Sequence, residues 1–302
     1  MDVKNKRSII LLGHAQSGKT SLAESMLFLC KATTRKGAIA DGTTVSDYSF
    51  DEIERKSSIN SGFLFCNYKG MRIQIVDAPG YADFFGEVLA GIRAVDSAVI
   101  VVDATGGVEV GTEKSWQLLE EYNLPRIIFI NKTDKEGADI NKVLIDIKER
   151  LSSKAMIIDN FEDPGLTEAI AESDDKLLEK YLEGTKLSSE ELSSALTQAV
   201  IKGEIFPVFS GSAVSDKGIE TLLDGIIKYL PDPQWREAIE AFSAQDPQKK
   251  KEVKLYTDQT IEKIANAHIN DKEEIKTYTA EAIEKIVSGN INNFENKTET
   301  EE

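Results

Sequence analysis

The sequence predicts an α/β fold, a mostly parallel sheet with helices on both faces, and three observations predict it. Short, nearly continuous apolar runs at 8–12, 95–102, 126–130 and 205–209 suit central strands that are buried on both sides. Longer stretches with apolar residues at helical spacing separate these runs. The first run leads through a glycine-containing turn straight into such a stretch. That order belongs to doubly wound sheets, whose ligands sit beyond the C-terminal ends of the strands.

Residues 8–12 read as the first strand and 19–31 as a helix with Leu22, Met26 and Leu29 on one face. A polar stretch rich in Gly and Thr covers 37–61. Residues 62–68 and 71–76 flank Lys69-Gly70 and predict a hairpin. The runs at 95–102, around Asp96, and 126–130 are strands, with helices expected at 109–122 and 137–150. A further strand at 205–209 precedes a helix at 218–229, which Pro231 and Pro233 bring to a stop. One domain over 1–232 follows.

Residues 151–204 break the rhythm and read as a shortened helical insert between the last two strands. Ile157 and Ile158 suit one short strand, and 167–202 two or three helices. Beyond 232 the composition changes: 233–302 carries fifteen acidic and ten basic side chains and few large apolar ones. It reads as a charged helical arm. Tyr256-Thr-Asp-Gln-Thr-Ile-Glu-Lys-Ile is echoed by Tyr278-Thr-Ala-Glu-Ala-Ile-Glu-Lys-Ile, which predicts two similar helices at about 256–268 and 278–289. Either these lie against the main domain, or 256–291 engages a helical partner or a second copy. The last residues are expected to be disordered.

The chain has 302 residues, with 36 Lys and Arg against 52 Asp and Glu, a net charge of −16. Generic DNA binding through net positive charge is therefore not expected. Cys30 and Cys66 have no metal-ligand spacing around them and read as buried thiols in a reducing compartment. The basic start carries only a four-residue apolar run, so no signal peptide is expected. No segment approaches bilayer length, and no membrane association is expected. A cytoplasmic location follows from these readings.

Gly13-His14-Ala15-Gln16-Ser17-Gly18-Lys19-Thr20 fulfils the GxxxxGK[ST] pattern between a strand and a helix. It predicts a P-loop NTPase: backbone N–H groups cradle phosphates, Lys19 reaches the β and γ oxygens, and the Thr20 hydroxyl ligates Mg2+. His14 reads as loop packing. Asp77-Ala78-Pro79-Gly80 ends the hairpin strand, so Asp77 can hold a magnesium-bound water and Gly80 can offer its N–H to a γ-phosphate. Asn131-Lys132-Thr133-Asp134 ends another strand. There Asp134 can accept from both N1–H and the 2-amino group of guanine, a donor pair that adenine lacks. Asn131 would brace the loop and face N7, and the Lys132 stem would lie along the base. Ser212-Ala213 completes the pocket, with the Ala213 N–H aimed at guanine O6. The cofactors expected are GTP or GDP with Mg2+.

In the order of these motifs the chain resembles the GTPase domain of translation elongation factor G, most closely the divergent elongation-factor-G-like group. The resemblance covers about 1–232. It also rests on Glu54-Arg55 with Ser58-Ile59, on Asp77 through Phe84, on Gly107-Val108-Glu109-Val110-Gly111-Thr112-Glu113, and on Leu222-Leu223-Asp224 with Tyr229-Leu230-Pro231. It implies that 37–61 is a first switch, with Ser58 at the place of a threonine that contacts magnesium. It implies a second switch over 77–85, and that DDKLLEKYLEG at 174–184 belongs to the inserted subdomain. The ribosome, or another activating partner, is implied as well.

The chain departs from that pattern at three places. Tyr81 replaces the histidine that orients the attacking water. Gln16 replaces a phosphate-loop aspartate, and the insert is short. The catalytic set is thus Lys19, Gly80 and, as a water-positioning group, Tyr81; a phenol is a poor proton acceptor at neutral pH, so slow intrinsic hydrolysis is expected. Arg72 and Arg93 do not read as internal arginine fingers. The seventy residues after 232 leave no room for the domains that translocation requires, so a chain truncated after the GTPase domain is expected. Two functions remain open: a magnesium-dependent, activator-dependent GTPase, or a nucleotide-dependent interaction module whose hydrolysis is vestigial.

Overall fold

The computed structural model describes residues 3–158, 163–234, 238–242 and 250–254. The chain divides into two compact units, Met1–Trp235 and Arg236–Glu302.

In the first unit, β1 (Lys6–Leu12) leads through a loop into α1 (Lys19–Leu29), and α2 (Phe50–Arg55) lies in the long segment that follows. β2 (Gly62–Tyr68) and β3 (Met71–Asp77) form the expected hairpin. Its turn residues Lys69 and Gly70 both have positive φ, 47° and 80°, the backbone that matches strand twist in a two-residue turn. Then come α3 (Phe85–Ala94), β4 (Ser97–Asp103), α4 (Val110–Glu121), β5 (Arg126–Asn131) and α5 (Ile140–Arg150). The insert consists of β6 (Ala155–Ile157), α6 (Pro164–Glu172), α7 (Asp175–Leu182) and α8 (Ser189–Lys202). β7 (Phe206–Ser210) and α9 (Ile219–Tyr229) complete the unit.

The seven strands run in the order β2-β3-β1-β4-β5-β7-β6, with only β2 antiparallel to its neighbour. Because side chains alternate along a strand, Ile9 and Leu11 join the core on one face while Ile10 and Leu12 join the core on the other. Ile127 and Phe129, against Ile128 and Ile130, repeat the division on β5. That two-sided burial is why these strands read as continuous apolar runs. Each fully buried side chain of this size contributes about 1.5–3 kcal/mol.

Two helices were not foreseen. α2 begins with a capping box, in which the Ser49 side chain accepts from the Glu52 N–H while Glu52 accepts from the Ser49 N–H. α3 follows the Asp77–Phe84 stretch directly and buries only Val88, Gly91 and Ile92. The insert carries three helices. These send Leu166, Leu177, Leu192 and Leu196 into the core shared with α1 and α9.

In the second unit β8 (Ala238–Phe242) and β9 (Lys250–Lys254) pair antiparallel. This part of the expected helical arm is therefore strand. The lysine run at 249–251 hides the short alternation that a strand requires. The helices expected at about 256–268 and 278–289, and the terminal residues, lie outside the described residues. Among the described residues no helix is long and apolar enough to cross a membrane.

Candidate nucleotide site

The loops that leave β1, β3, β4, β5 and β7 all start from the same, C-terminal side of the parallel sheet. The first is the glycine-rich loop at 13–18. Gly18 has φ 96°, and a Cβ there would lie 2.3 Å from Asn131 Nδ2, so close approach to the β5 loop requires glycine. α1 then starts without a side-chain cap, which leaves its first N–H groups directed at the cleft. Lys19 is buried, and its ammonium donates to the carbonyls of Gly13 at 3.2 Å and His14 at 3.0 Å. Burial draws its pKa down to about 8, against the opposing pull of Asp77. A phosphate would replace those carbonyl contacts with a full counter-charge. Gly80 seals this end: a Cβ there would stand 2.5 Å from Lys19 Nζ and 2.7 Å from Ala15 Cα.

Thr20 and Ser58 bring their hydroxyl oxygens to 3.1 Å. The adjacent ligands of an octahedral magnesium ion are separated by about 2.9 Å, so the pair matches one edge of such a site. Beside it, Asp77 is buried, and burial raises its pKa to about 6 despite the Thr20 hydroxyl and the Lys19 charge. One oxygen of Asp77 accepts from Ser46 Oγ at 3.0 Å; the other is buried without a partner. Asp47 is similar, with its pKa raised by burial against the pull of the Ser58 hydroxyl and one buried oxygen left unpartnered. Two orphaned carboxylate oxygens near two hydroxyls fit a divalent cation. Among the described residues no three His, Cys, Asp or Glu form a cage, which magnesium shared with phosphates and water does not need.

On the base side the buried Asn131 carboxamide is a staple. Its Nδ2 donates to the Ser17 carbonyl at 3.0 Å, and its Oδ1 accepts from the Ala213 N–H at 2.9 Å. Bracing of the loop is as expected. The Ala213 N–H is not free for guanine O6 as anticipated, because Asn131 already occupies it. Lys132 has φ 65° and reaches back over the phosphate loop, its Nζ 2.5 Å from both the Gln16 carbonyl and Asp103. Burial would raise the Asp103 pKa, but Lys132 and the Thr105 N–H and hydroxyl hold it down at about 2. Asp134 is exposed on the same loop. Ser212 is fully buried beneath Ala213, and its hydroxyl accepts from the Ser215 N–H at 3.2 Å.

Tyr81 lies at the phosphate end, 41% exposed, its hydroxyl 3.5 Å from Gln16 Nε2. Gln16, Lys19, Thr20, Ser58, Gly80 and Tyr81 line a common cavity of about 230 Å³. His14 does more than pack: its Nδ1 accepts from the Gly111 N–H at 3.2 Å, and its Nε2 lies 3.4 Å from Glu109. It ties the phosphate loop to the start of α4.

Residues 4–232 match the family described as the Elongation factor Tu GTP binding domain. The chain belongs to this family. A crystal structure from Thermus thermophilus is similar to it at 33% identity with a TM-score of 0.72 over 76% of this chain. The chain spans 41% of the length of that protein. This Elongation factor Tu family domain is thus a GTP-binding P-loop domain, with the sheet and loop order that such domains share.

Four residues of the domain's site carry no recognisable motif in the sequence. Asp47 and Ser46 lie in a stretch with no periodic signal. Asp103 was legible only as the polar end of an apolar strand. Glu24, fully buried on α1, accepts from the Gly37 N–H at 2.9 Å and the Val45 N–H at 2.5 Å, holding the segment that carries Asp47. A lone glutamate on the buried face of a helix was the available signal for it.

Proposed function

We propose that this domain binds GTP with Mg2+, hydrolyses it slowly on its own, and reaches a useful rate when an activating surface completes the site. The single observation that carries the reading is the meeting of Lys19, the Thr20 and Ser58 hydroxyls and two orphaned carboxylate oxygens at one end of the cleft. Lys19 leaves its loop carbonyls to hold the β and γ oxygens, and the α1 N-terminus holds the remaining phosphate charge. Thr20 and Ser58 would hold the ion directly, with Asp77 and Asp47 behind them. Magnesium, when bound, supplies neutralisation of charge on the β/γ oxygens. Tyr81 and Gln16 orient a water by hydrogen bonds without taking its proton, since neither a neutral phenol nor a carboxamide is a useful base.

Resemblance to the divergent elongation-factor-G-like group supports the ribosome as the activating partner, and with it a cytoplasmic location. A second reading is favoured by Tyr81 itself: with no base at this position, GTP binding orders the switch segments to present a surface and hydrolysis is vestigial. Single-turnover phosphate release with and without ribosomes separates the two. Release that ribosomes accelerate and Lys19→Ala abolishes supports the enzyme. Tight GTP binding with no release in either condition supports the interaction module.

A further inference from the structure

The chain has only two cysteines, far apart in sequence, and the fold brings them together. Cys30 is the residue that ends α1, and Cys66 lies in the middle of β2. Both are free thiols. Cys66 is fully buried in the core that surrounds α1, and Cys30 is half-buried and packs against the same core. They line a cavity of about 340 Å³ together with Leu27, Lys31, Phe63 and Phe65. The two thiols are electrostatically coupled: Cys66 lowers the Cys30 pKa, while the Cys66 thiol is pushed up by Cys30 and by burial. Such a division gives an accessible attacking sulfur and a protected second sulfur within its reach.

We propose that Cys30 and Cys66 are a dithiol pair that closes to a disulfide by exchange with a low-molecular-weight disulfide such as glutathione disulfide. The Cys30 thiolate attacks one sulfur of glutathione disulfide, the reagent's S–S bond breaks, and one glutathione leaves as the thiolate. Cys66 then loses its proton and attacks the Cys30 sulfur. The intramolecular bond forms and the second glutathione leaves. The protein gives up two electrons and two protons, and both appear in two molecules of glutathione thiol. The bond would join the far end of the helix that begins with Lys19 and Thr20 to the strand that follows Ser58. It is thus a covalent tie between the phosphate loop's helix and the strand that directly follows the segment carrying Asp47 and Ser58.

The test uses the full chain, incubated folded with glutathione disulfide, quenched with a maleimide and weighed intact. The wild type is expected to lose both reactive thiols, retain no glutathione, and recover both thiols with dithiothreitol. Cys66→Ser should stop at the first step and hold one glutathione per chain. Cys30→Ser should hold none over the same period. The proposal is overturned if the folded wild type keeps both thiols while the urea-unfolded chain oxidises. It is equally overturned if the wild type accumulates glutathione adducts instead of the internal bond. The wild-type result decides even if a variant fails to fold.

Discussion

The Tyr81 hydroxyl and Gln16 Nε2 stand 3.5 Å apart, so two of the positions where the chain departs from the elongation factor G pattern face each other across the phosphate end of the cleft. Both are partly exposed, and the contact itself contributes little stability. Its importance is chemical. A carboxamide and a phenol can position water but cannot accept its proton at neutral pH. Replacement Tyr81→His restores a base of suitable pKa, and single-turnover GTP hydrolysis should rise by about tenfold or more with GTP affinity unchanged. An unchanged rate would remove position 81 from the chemistry.

Asn131 joins the phosphate loop to the loop after β7, and both of its contacts are buried. Asn131→Ala leaves the Ser17 carbonyl and the Ala213 N–H without partners. Chemical denaturation should show a loss of about 2–6 kcal/mol, from about 1–3 kcal/mol for each orphaned group. GTP affinity should fall with it. A variant as stable as the parent would show that water replaces the amide without cost.

Asp134 is an exposed acceptor on the loop after β5. Asp134→Asn turns half of that acceptor into a donor, which suits a xanthine edge and opposes a guanine edge. Competition binding should shift preference from GTP toward XTP by about 10- to 100-fold, the size expected when a hydrogen bond to a charged acceptor is lost to one nucleotide and gained by the other. Unchanged preference would take Asp134 out of base recognition.

The Asp103–Lys132 pair predicts an acid dependence. The folded-state pKa of Asp103 lies below its ordinary value, at about 2, so the pair's contribution is fully present above the unfolded value of about 3.9. It is lost as pH falls through about 2. Stability measured between pH 5 and pH 2 should therefore decline less steeply in Asp103→Asn than in the parent. Parallel profiles would show that the pair contributes nothing.

The sheet was legible because strands buried on both faces are written as apolar runs, as 126–130 and 8–12 show. The phosphate loop was legible because glycine is required where backbone meets the Asn131 side chain. The segment 37–61 was not. Its shape is fixed by backbone N–H groups that donate to buried or half-buried carboxylates: Gly37 and Val45 to Glu24 on α1, Ile59 and Asn60 to Glu52, and Ser61 to Glu87 on α3. Such contacts leave no period in a sequence. Asp47 and the commitment of Ala213 to Asn131 were hidden for the same reason. The capping box of Ser49 and Glu52 was readable and marks α2.

Equilibrium binding of GTP, GDP and ATP, each with and without Mg2+, tests the site most directly. GTP and GDP should bind the folded chain, chelation of Mg2+ should weaken GTP, and ATP should fail to compete. A folded chain that discriminates neither guanine from adenine nor magnesium from its absence would contradict the assignment of Thr20, Ser58, Asp77 and Asp134 to one nucleotide cleft.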